Sequence, residues 1–140
     1  MNHPTRHVSG PFDVKVTHQD DSSGDPLLNR MTLDKQYHGD LEATAIGQML
    51  TAGTDVKGSG AYVAIEKVSG TLEGKKGTFI LQHAGTMTRE VPDLAIVVVP
   101  DSGTGELEGI SGKMKIKFAE GGKHFYELEY TIGNFVIREN

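Results

Sequence analysis

Apolar and polar residues alternate along most of this chain, in short runs that glycines separate. In residues 11–18 every second side chain is apolar, which is the period of a half-buried strand. Residues 61–68 and 78–84 have the same character, with glycines near both ends. Residues 94–99 form an apolar run without alternation, which predicts a strand buried on both faces. Short strands between glycine-rich turns are typical of an all-β fold.

Residues 31–51 have two interpretations. Their β-branched and aromatic side chains predict two strands, or one strand bent at Gly39. A helix over residues 41–50 is the alternative, because apolar side chains recur there at helical spacing. A glycine and two threonines in this region disfavour the helix, so strands are the preferred interpretation.

The remaining segments complete an antiparallel meander. Residues 106–112 and 113–118 predict a hairpin, and residues 123–132 alternate again, which brings the count to eight or nine strands. Closing such a sheet removes the exposed edge strands that it would otherwise present. We therefore predict an all-β fold, a single antiparallel closed barrel of about eight strands. It forms one domain with a core over about 10–132 and a short tail at 133–140.

Composition removes several classes of function. The chain has no cysteine, so disulfides, thiol nucleophiles and thiolate metal sites are excluded. Its net charge is −5 and it has no basic run, so we expect no nucleic-acid partner. The longest aliphatic run is six residues, far below the roughly 20 that span a bilayer as a helix. We expect a cytoplasmic protein with no membrane partner and no cofactor.

Five ordered segments of the chain resemble a known family. They are DKQYHGDLEATAIGQML (34–50), GSGAYVAIEKVSGTL (58–72), GTFILQHAGTM (77–87), VVVPDSGTGELEGISGKM (97–114) and GKHFYELEYTI (122–132). The sequence is similar to a bacterial family of small domains of unknown function, which looks like the allene-oxide-cyclase-like β-barrels. The resemblance implies that barrel fold and implies no activity, because fold alone does not determine function.

Alternation predicts which polar side chains enter the barrel. In residues 123–132 one face carries His124, Tyr126 and Tyr130, while the other carries paired glutamates that favour water. In residues 61–68, an outward Lys67 turns Glu66 and Tyr62 inward. In residues 78–84, an outward Gln82 turns His83 inward. These inward polar residues are the candidate ligand-binding set: Tyr62, Glu66, His83, His124, Tyr126 and Tyr130.

This set has a functional and a structural interpretation. A carboxylate beside imidazoles suits proton transfer, which makes Glu66, His83 and His124 the catalytic candidates. The same residues can instead plug a small barrel and satisfy one another's hydrogen bonds. A metal site built from His38, His83, His124 and Glu66 is disfavoured, because the spacing matches no metal motif.

Three hypotheses for function follow. The first is a module that binds a small, partly apolar ligand inside the barrel. The second is an acid–base enzyme, an isomerase or hydrolase, that uses Glu66 with His83 or His124. The third is a packed structural or interaction barrel without a ligand. Apolar residues on both faces, among them Val63, Ile65 and part of 96–99, also predict a cover. That cover is a second copy of the chain, or a loop or the C-terminal tail.

Overall fold

Eight antiparallel strands close into a barrel in the computed structural model of the chain, which describes residues 4–19 and 24–133. The strands are β1 (Arg6–Gln19), β2 (Leu28–Tyr37), β3 (Leu41–Gly53), β4 (Gly60–Leu72), β5 (Lys75–Thr88), β6 (Val91–Val98), β7 (Ile110–Ala119) and β8 (Lys123–Ile132). Each strand pairs with the next along the chain, and β8 returns to pair with β1. The predicted all-β closed barrel is therefore confirmed.

The alternating pattern of the sequence becomes an inner and an outer face on each strand. Inward apolar side chains fill much of the barrel, with Tyr37, Phe79 and Tyr126 fully buried among them. Phe12 packs on Tyr37, and Tyr37 meets Tyr126 edge-on at 5.5 Å between ring centroids. Aromatic pairs at this separation add to the stabilisation from burial alone.

The preferred strand interpretation of residues 31–51 is confirmed, whereas the hairpin predicted at 106–118 is not. Residues 41–50 belong to β3, so the helix alternative is wrong, and residues 38–40 make the turn that separates β2 from β3. The predicted hairpin at 106–118 is also wrong. Residues 105–107 form a 3-10 turn that buries Leu107, and β7 runs unbroken from Ile110 to Ala119. Glycines at positive φ on both sides of Leu107 allow the chain to fold back there.

The strand at 94–99 is buried on one face only, which corrects the expectation of burial on both faces. Ile96 and Val98 point into the core, whereas Val97 is 41% exposed on the outside. A continuous apolar run has two explanations, burial on both sides or an apolar outer surface, and periodicity does not separate them.

Val97 belongs to a wider outer apolar face on β3, β4 and β6. Its large exposed members are Ile46, Leu50, Val63, Ile65 and Val97. Register places Val63 beside Leu50 and places Ile65 one row along, so these three side chains form a continuous patch, whereas Gln82 of β5 lies between Ile65 and Val97. Within the described residues this face lies open to solvent. The C-terminal tail that we considered as a cover lies, beyond Gly133, outside the described residues.

The two ends of the barrel are built differently. At one end, the clasped end, the β4–β5 turn is tied to the start of β1 and the end of β8 through Arg6, Glu73 and Tyr130. At the other end, the mouth, lie the β3–β4 and β7–β8 connections and the β5–β6 turn.

In the described residues, no helix is long and apolar enough to cross a membrane.

The pairing between β6 and β7 is short. Across the described barrel it is limited to Ile96 with Met114 and Val97 with Lys113, whereas β4 and β5 pair along almost their whole lengths. The mouth half of β6 contains Pro92, which has no N–H to donate to a ladder. The two strands therefore separate toward the mouth and leave their inward side chains partly uncovered.

Candidate functional site

A buried polar cluster lies inside the barrel around Glu66, and we call Lys35, Tyr37, Glu66 and His83 the Glu66 cluster. Glu66 is only 1% exposed. The Lys35 ammonium donates to Glu66 Oε2 at 2.8 Å, and His83 Nε2 lies 2.5 Å from the same oxygen. The Tyr37 hydroxyl donates to Glu66 Oε1. Each carboxylate oxygen therefore has a donor, as a buried carboxylate requires.

Register brings these side chains together from three strands. Lys35 and Tyr37 are two apart on β2, so both point inward. Glu66 on β4 sits opposite Gly47 on β3. A Cβ at Gly47 would lie 2.2 Å from the Ile65 carbonyl oxygen and 2.9 Å from Glu66 Cβ. The missing side chain at Gly47 therefore provides the space that Glu66 occupies.

The charges within the cluster compensate one another. Burial by itself raises the pKa of Glu66, but the hydrogen bond from His83 and the positive charge of Lys35 outweigh it and lower that pKa to about 2. Glu66 is thus ionised at neutral pH. Burial, followed by the charge of Glu66, raises the pKa of Tyr37 well above its usual range, so this phenol stays protonated and remains a donor.

The contact with Glu66 fixes one proton on His83. An ionised carboxylate only accepts hydrogen bonds, so the Nε2 atom that contacts Glu66 carries a proton. Lys35 and Glu66 already cancel in charge, and a neutral imidazole leaves the buried cluster without net charge. In that state Nδ1 is a hydrogen-bond acceptor.

Tyr62 connects this cluster to the mouth. Its hydroxyl lies 3.2 Å from His83 Nδ1 and donates to that atom when the imidazole is neutral. Burial and then the charge of Glu66 raise the pKa of Tyr62 to about 12, which keeps the phenol protonated. Opposite Tyr62 on β5 lies Gly85, where a Cβ would come within 2.8 Å of the tyrosine ring. The glycine makes room for the ring.

Beyond Tyr62 a cleft opens at the mouth, where β6 and β7 separate. Its volume is about 440 Å³. Its large side chains are mostly apolar and come from β4 to β7: Tyr62, Met87, Pro92, Leu94, Ile116 and Phe118. We call this space the mouth cleft. None of the described residues that line it carries a formal charge.

The structure places the six predicted site residues in three groups. Tyr62, Glu66 and His83 form one hydrogen-bonded line, and all three are buried or partly buried as expected. His124 also points inward, but its ring packs on Phe12 at 5.3 Å and on Phe118 at 5.1 Å between centroids.

Tyr126 and Tyr130 lie toward the clasped end, so the structure does not bring these two members of the candidate ligand-binding set together with Tyr62, Glu66 and His83. The Tyr126 hydroxyl donates to the His38 carbonyl and accepts from the Leu41 N–H. Tyr130 donates to Glu73. These two phenols satisfy the polar groups of turns, which is the structural role weighed against a ligand site.

Sequence reasoning missed Lys35 and Tyr37. Both lie on the inner face of β2 with Leu33, which is two residues before Lys35. The alternation of these three residues could have predicted that they share the inner face. That prediction would have placed a lysine inside the barrel, which is unusual. A buried lysine is acceptable only with a counter-charge, and that charge is 31 residues away on another strand.

The histidines do not assemble a metal centre among the described residues. Nowhere in that part of the chain do three His, Cys, Asp or Glu side chains come together as metal ligands would. His38, one of the four histidine and glutamate candidates, instead pairs at the surface with Asp13 at 3.3 Å and Glu42 at 3.2 Å.

Comparison with known proteins identifies relatives but no activity. The curated proteins gave no significant match. A crystal structure of a protein of unknown function from Shewanella oneidensis MR-1, determined at 1.84 Å, is 46% identical. It covers 94% of this chain and 100% of its own, with a TM-score of 0.89, and it is described as a DUF3224 family member. The family model for proteins of unknown function DUF3224 matches residues 8–130. The chain therefore belongs to the DUF3224 family.

Proposed function

We propose that this barrel binds a small, partly apolar ligand in the mouth cleft, with Tyr62 as its polar anchor. The observation that carries the proposal is the cleft itself, a mostly apolar space of about 440 Å³ lined in part by Tyr62, whose hydroxyl is held by His83. Small-molecule sites are concave and mostly apolar, span roughly 300–1,000 Å³ and hold a few well-placed polar groups.

The exposure of the cleft walls supports this proposal. Phe118, Met87 and Leu94 all occupy inward positions of their strands, yet they are 74%, 43% and 38% exposed. Large apolar side chains that cluster in contact with water mark interaction sites more often than isolated ones do. A ligand seated among them would remove this surface from water.

Binding fits the Glu66 cluster better than acid–base catalysis does. In a catalytic relay, the carboxylate behind the histidine stabilises the imidazolium that forms during reaction. Here the charge of Glu66 is already compensated by Lys35, and Glu66 is enclosed by the barrel. The cluster holds His83, and His83 holds the Tyr62 hydroxyl.

We also expect the protein to act in the cytoplasm, because a chain without cysteine needs no oxidising compartment.

Titration of 1-octanol into the protein, followed by methyl NMR, tests the proposal. We expect shifts at the methyl groups of Met87, Leu94 and Ile116, and none at Leu50 on the outer apolar face. Phe118→Ser should weaken binding several-fold, because it removes a cleft wall. Ile65→Ser is the control, since it removes an exposed apolar side chain, 51% exposed, that lies on the outer face.

The two variants distinguish binding in the cleft from non-specific binding to exposed apolar surface. Both change an exposed side chain, so the free energy of unfolding should move by no more than about 0.5 kcal/mol. The proposal is wrong if octanol shifts only outer-face methyls, if it produces no shifts up to its solubility limit, or if both variants weaken binding equally.

A further inference from the structure

The hydrogen-bonding capacity of Tyr62 restricts the chemistry of the ligand, an inference that rests on the proposed binding in the mouth cleft. A phenol has one proton to donate and lone pairs that accept. In the neutral imidazole that balances the charges of Lys35 and Glu66, the one ring proton of His83 is on Nε2, so the Tyr62 hydroxyl donates to His83 Nδ1. What Tyr62 offers to the cleft is therefore an acceptor oxygen.

The surroundings of Tyr62 disfavour a charged headgroup. The buried negative charge of Glu66 lies behind His83, on the side away from the cleft, and it raises the energy of negative charge at the tyrosine oxygen. Among the described residues that line the cleft none is charged, so an anionic or cationic group would lose its hydration there without a counter-charge from them.

Two further hydroxyls lie at the edge of the cleft, on Ser59 and Thr86. Ser59 Oγ already accepts the backbone N–H of Arg89 at 2.9 Å, which helps to hold the β5–β6 turn. Thr86 is an outward position of β5 and is exposed. Tyr62 is thus the polar group whose geometry is fixed by the barrel interior.

We propose that the mouth cleft selects an uncharged ligand with an apolar body and one hydrogen-bond donor, an alcohol hydroxyl or an amide N–H, which donates to the Tyr62 oxygen. Ethers and esters have no donor for this oxygen. Carboxylates present a second acceptor and a negative charge to it.

Three probes with one alkyl chain test this selection: 1-octanol, 1-methoxyoctane and octanoate at pH 7. Affinity is measured for each from the shifts of the cleft methyl groups. We expect octanol to bind about two- to tenfold more tightly than 1-methoxyoctane, the range of one net hydrogen bond. The ether is the more apolar molecule, so hydrophobicity alone predicts the opposite order. Octanoate should bind most weakly.

The same series with Tyr62→Phe assigns the preference to the hydroxyl. The alcohol should lose its advantage, while the affinity of the ether should change less than twofold. A thermal unfolding curve confirms that the variant is folded, and the order of the probes in the unmodified protein tests the inference without any variant.

The possible results separate this inference from the proposed function. If all three probes leave the cleft methyls unshifted, the proposed function fails. If they bind in the cleft but the ether or octanoate binds at least as tightly as octanol, the proposed function stands and the donor rule is overturned. Persistence of the alcohol preference in Tyr62→Phe also overturns it.

Discussion

Two glutamates of one hairpin, Glu66 in β4 and Glu73 in the turn after it, have similar partners in opposite surroundings. Each accepts from a tyrosine and from a cation, and each has its pKa lowered to about 2. Glu66 is shut inside the barrel with Lys35. The side chain of Glu73 is 22% exposed, and that of its partner Arg6 is 54% exposed.

The causes of these equal pKa values differ. For Glu66, burial is the largest influence and acts against ionisation, and His83 and Lys35 must overcome it. For Glu73, the hydrogen bonds from Arg6 and Tyr130 dominate, and burial matters less. A lowered pKa therefore does not rank the two sites by stability, because a pair in water is weakened by solvent and salt whereas a buried pair is not.

The difference also separates the roles of the two ends. The Glu73 contacts close the clasped end over a packed aromatic core. The Glu66 contacts fix His83, and through it Tyr62, below an open cleft. A rigid support behind a partly uncovered apolar surface is the arrangement that a preorganised binding site needs.

Removal of the buried cation should have the largest effect. Lys35→Met leaves the Glu66 carboxylate without its compensating charge, and we expect the free energy of unfolding to fall by about 3 kcal/mol or more. Urea unfolding at pH 7 measures this loss. Lys35→Met combined with Glu66→Gln removes both charges and should recover at least half of it. A loss below about 1 kcal/mol for the single variant would show that Lys35 does not stabilise Glu66.

Acid should remove the contribution of Glu66 in a defined window. Its pKa is about 2 in the folded protein against an ordinary value of 4.5, so the stabilisation is fully present above pH 4.5 and is lost as the pH falls toward 2. The difference in unfolding free energy between the protein and Glu66→Gln should shrink by about 3 kcal/mol across this window. Because the group is buried, 1 M NaCl should leave the difference unchanged. A difference that is independent of pH would contradict the assignment.

The barrel and half of the Glu66 cluster were predictable from local patterns. Alternation within one strand suffices to turn Tyr62, Glu66 and His83 inward, because neighbours such as Lys67 favour water. Glycine spacing predicted the turns between strands. These signals are carried by residues close together in the sequence.

The rest depended on pairings between distant strands. Lys35 can be buried because it pairs with Glu66, which is 31 residues away in the sequence. Arg6 pairs with Glu73, which is 67 residues away. The mouth cleft arises because β6 and β7 pair over a short stretch; Pro92 in β6 indicates a gap in that ladder but does not determine how long the pairing is. The pattern of one strand gives the face of each residue but does not identify its partners on distant strands, so these features required the structure.

Loss of the surface carboxylate should have a smaller effect that depends on salt. Glu73→Gln keeps the shape of the side chain and removes its charge, and we expect it to lower the unfolding free energy by less than about 1 kcal/mol. At 1 M NaCl the screening length is about 3 Å, so the difference from the unmodified protein should nearly vanish. Urea unfolding at low and high salt checks this. A loss as large as that of Lys35→Met would mean that the clasped end depends on its charges.

The smallest expected effect comes from the backbone at the same residue. Glu73 has φ of +48°, a left-handed conformation that costs a non-glycine residue about 1–2 kcal/mol. Glu73→Gly removes the ion pair as Glu73→Gln does, but it also removes this strain. Part of the stability gained by relieving the strain is lost again, because glycine gives the unfolded chain more conformational freedom. Glu73→Gly should therefore be more stable than Glu73→Gln, by up to about 1 kcal/mol, and close to the unmodified protein. Urea unfolding of the three proteins side by side measures this order. If Glu73→Gly is instead the least stable, the contacts of Glu73 with Arg6 and Tyr130 outweigh the turn strain, and the clasped end is held by its surface contacts as well as by its core.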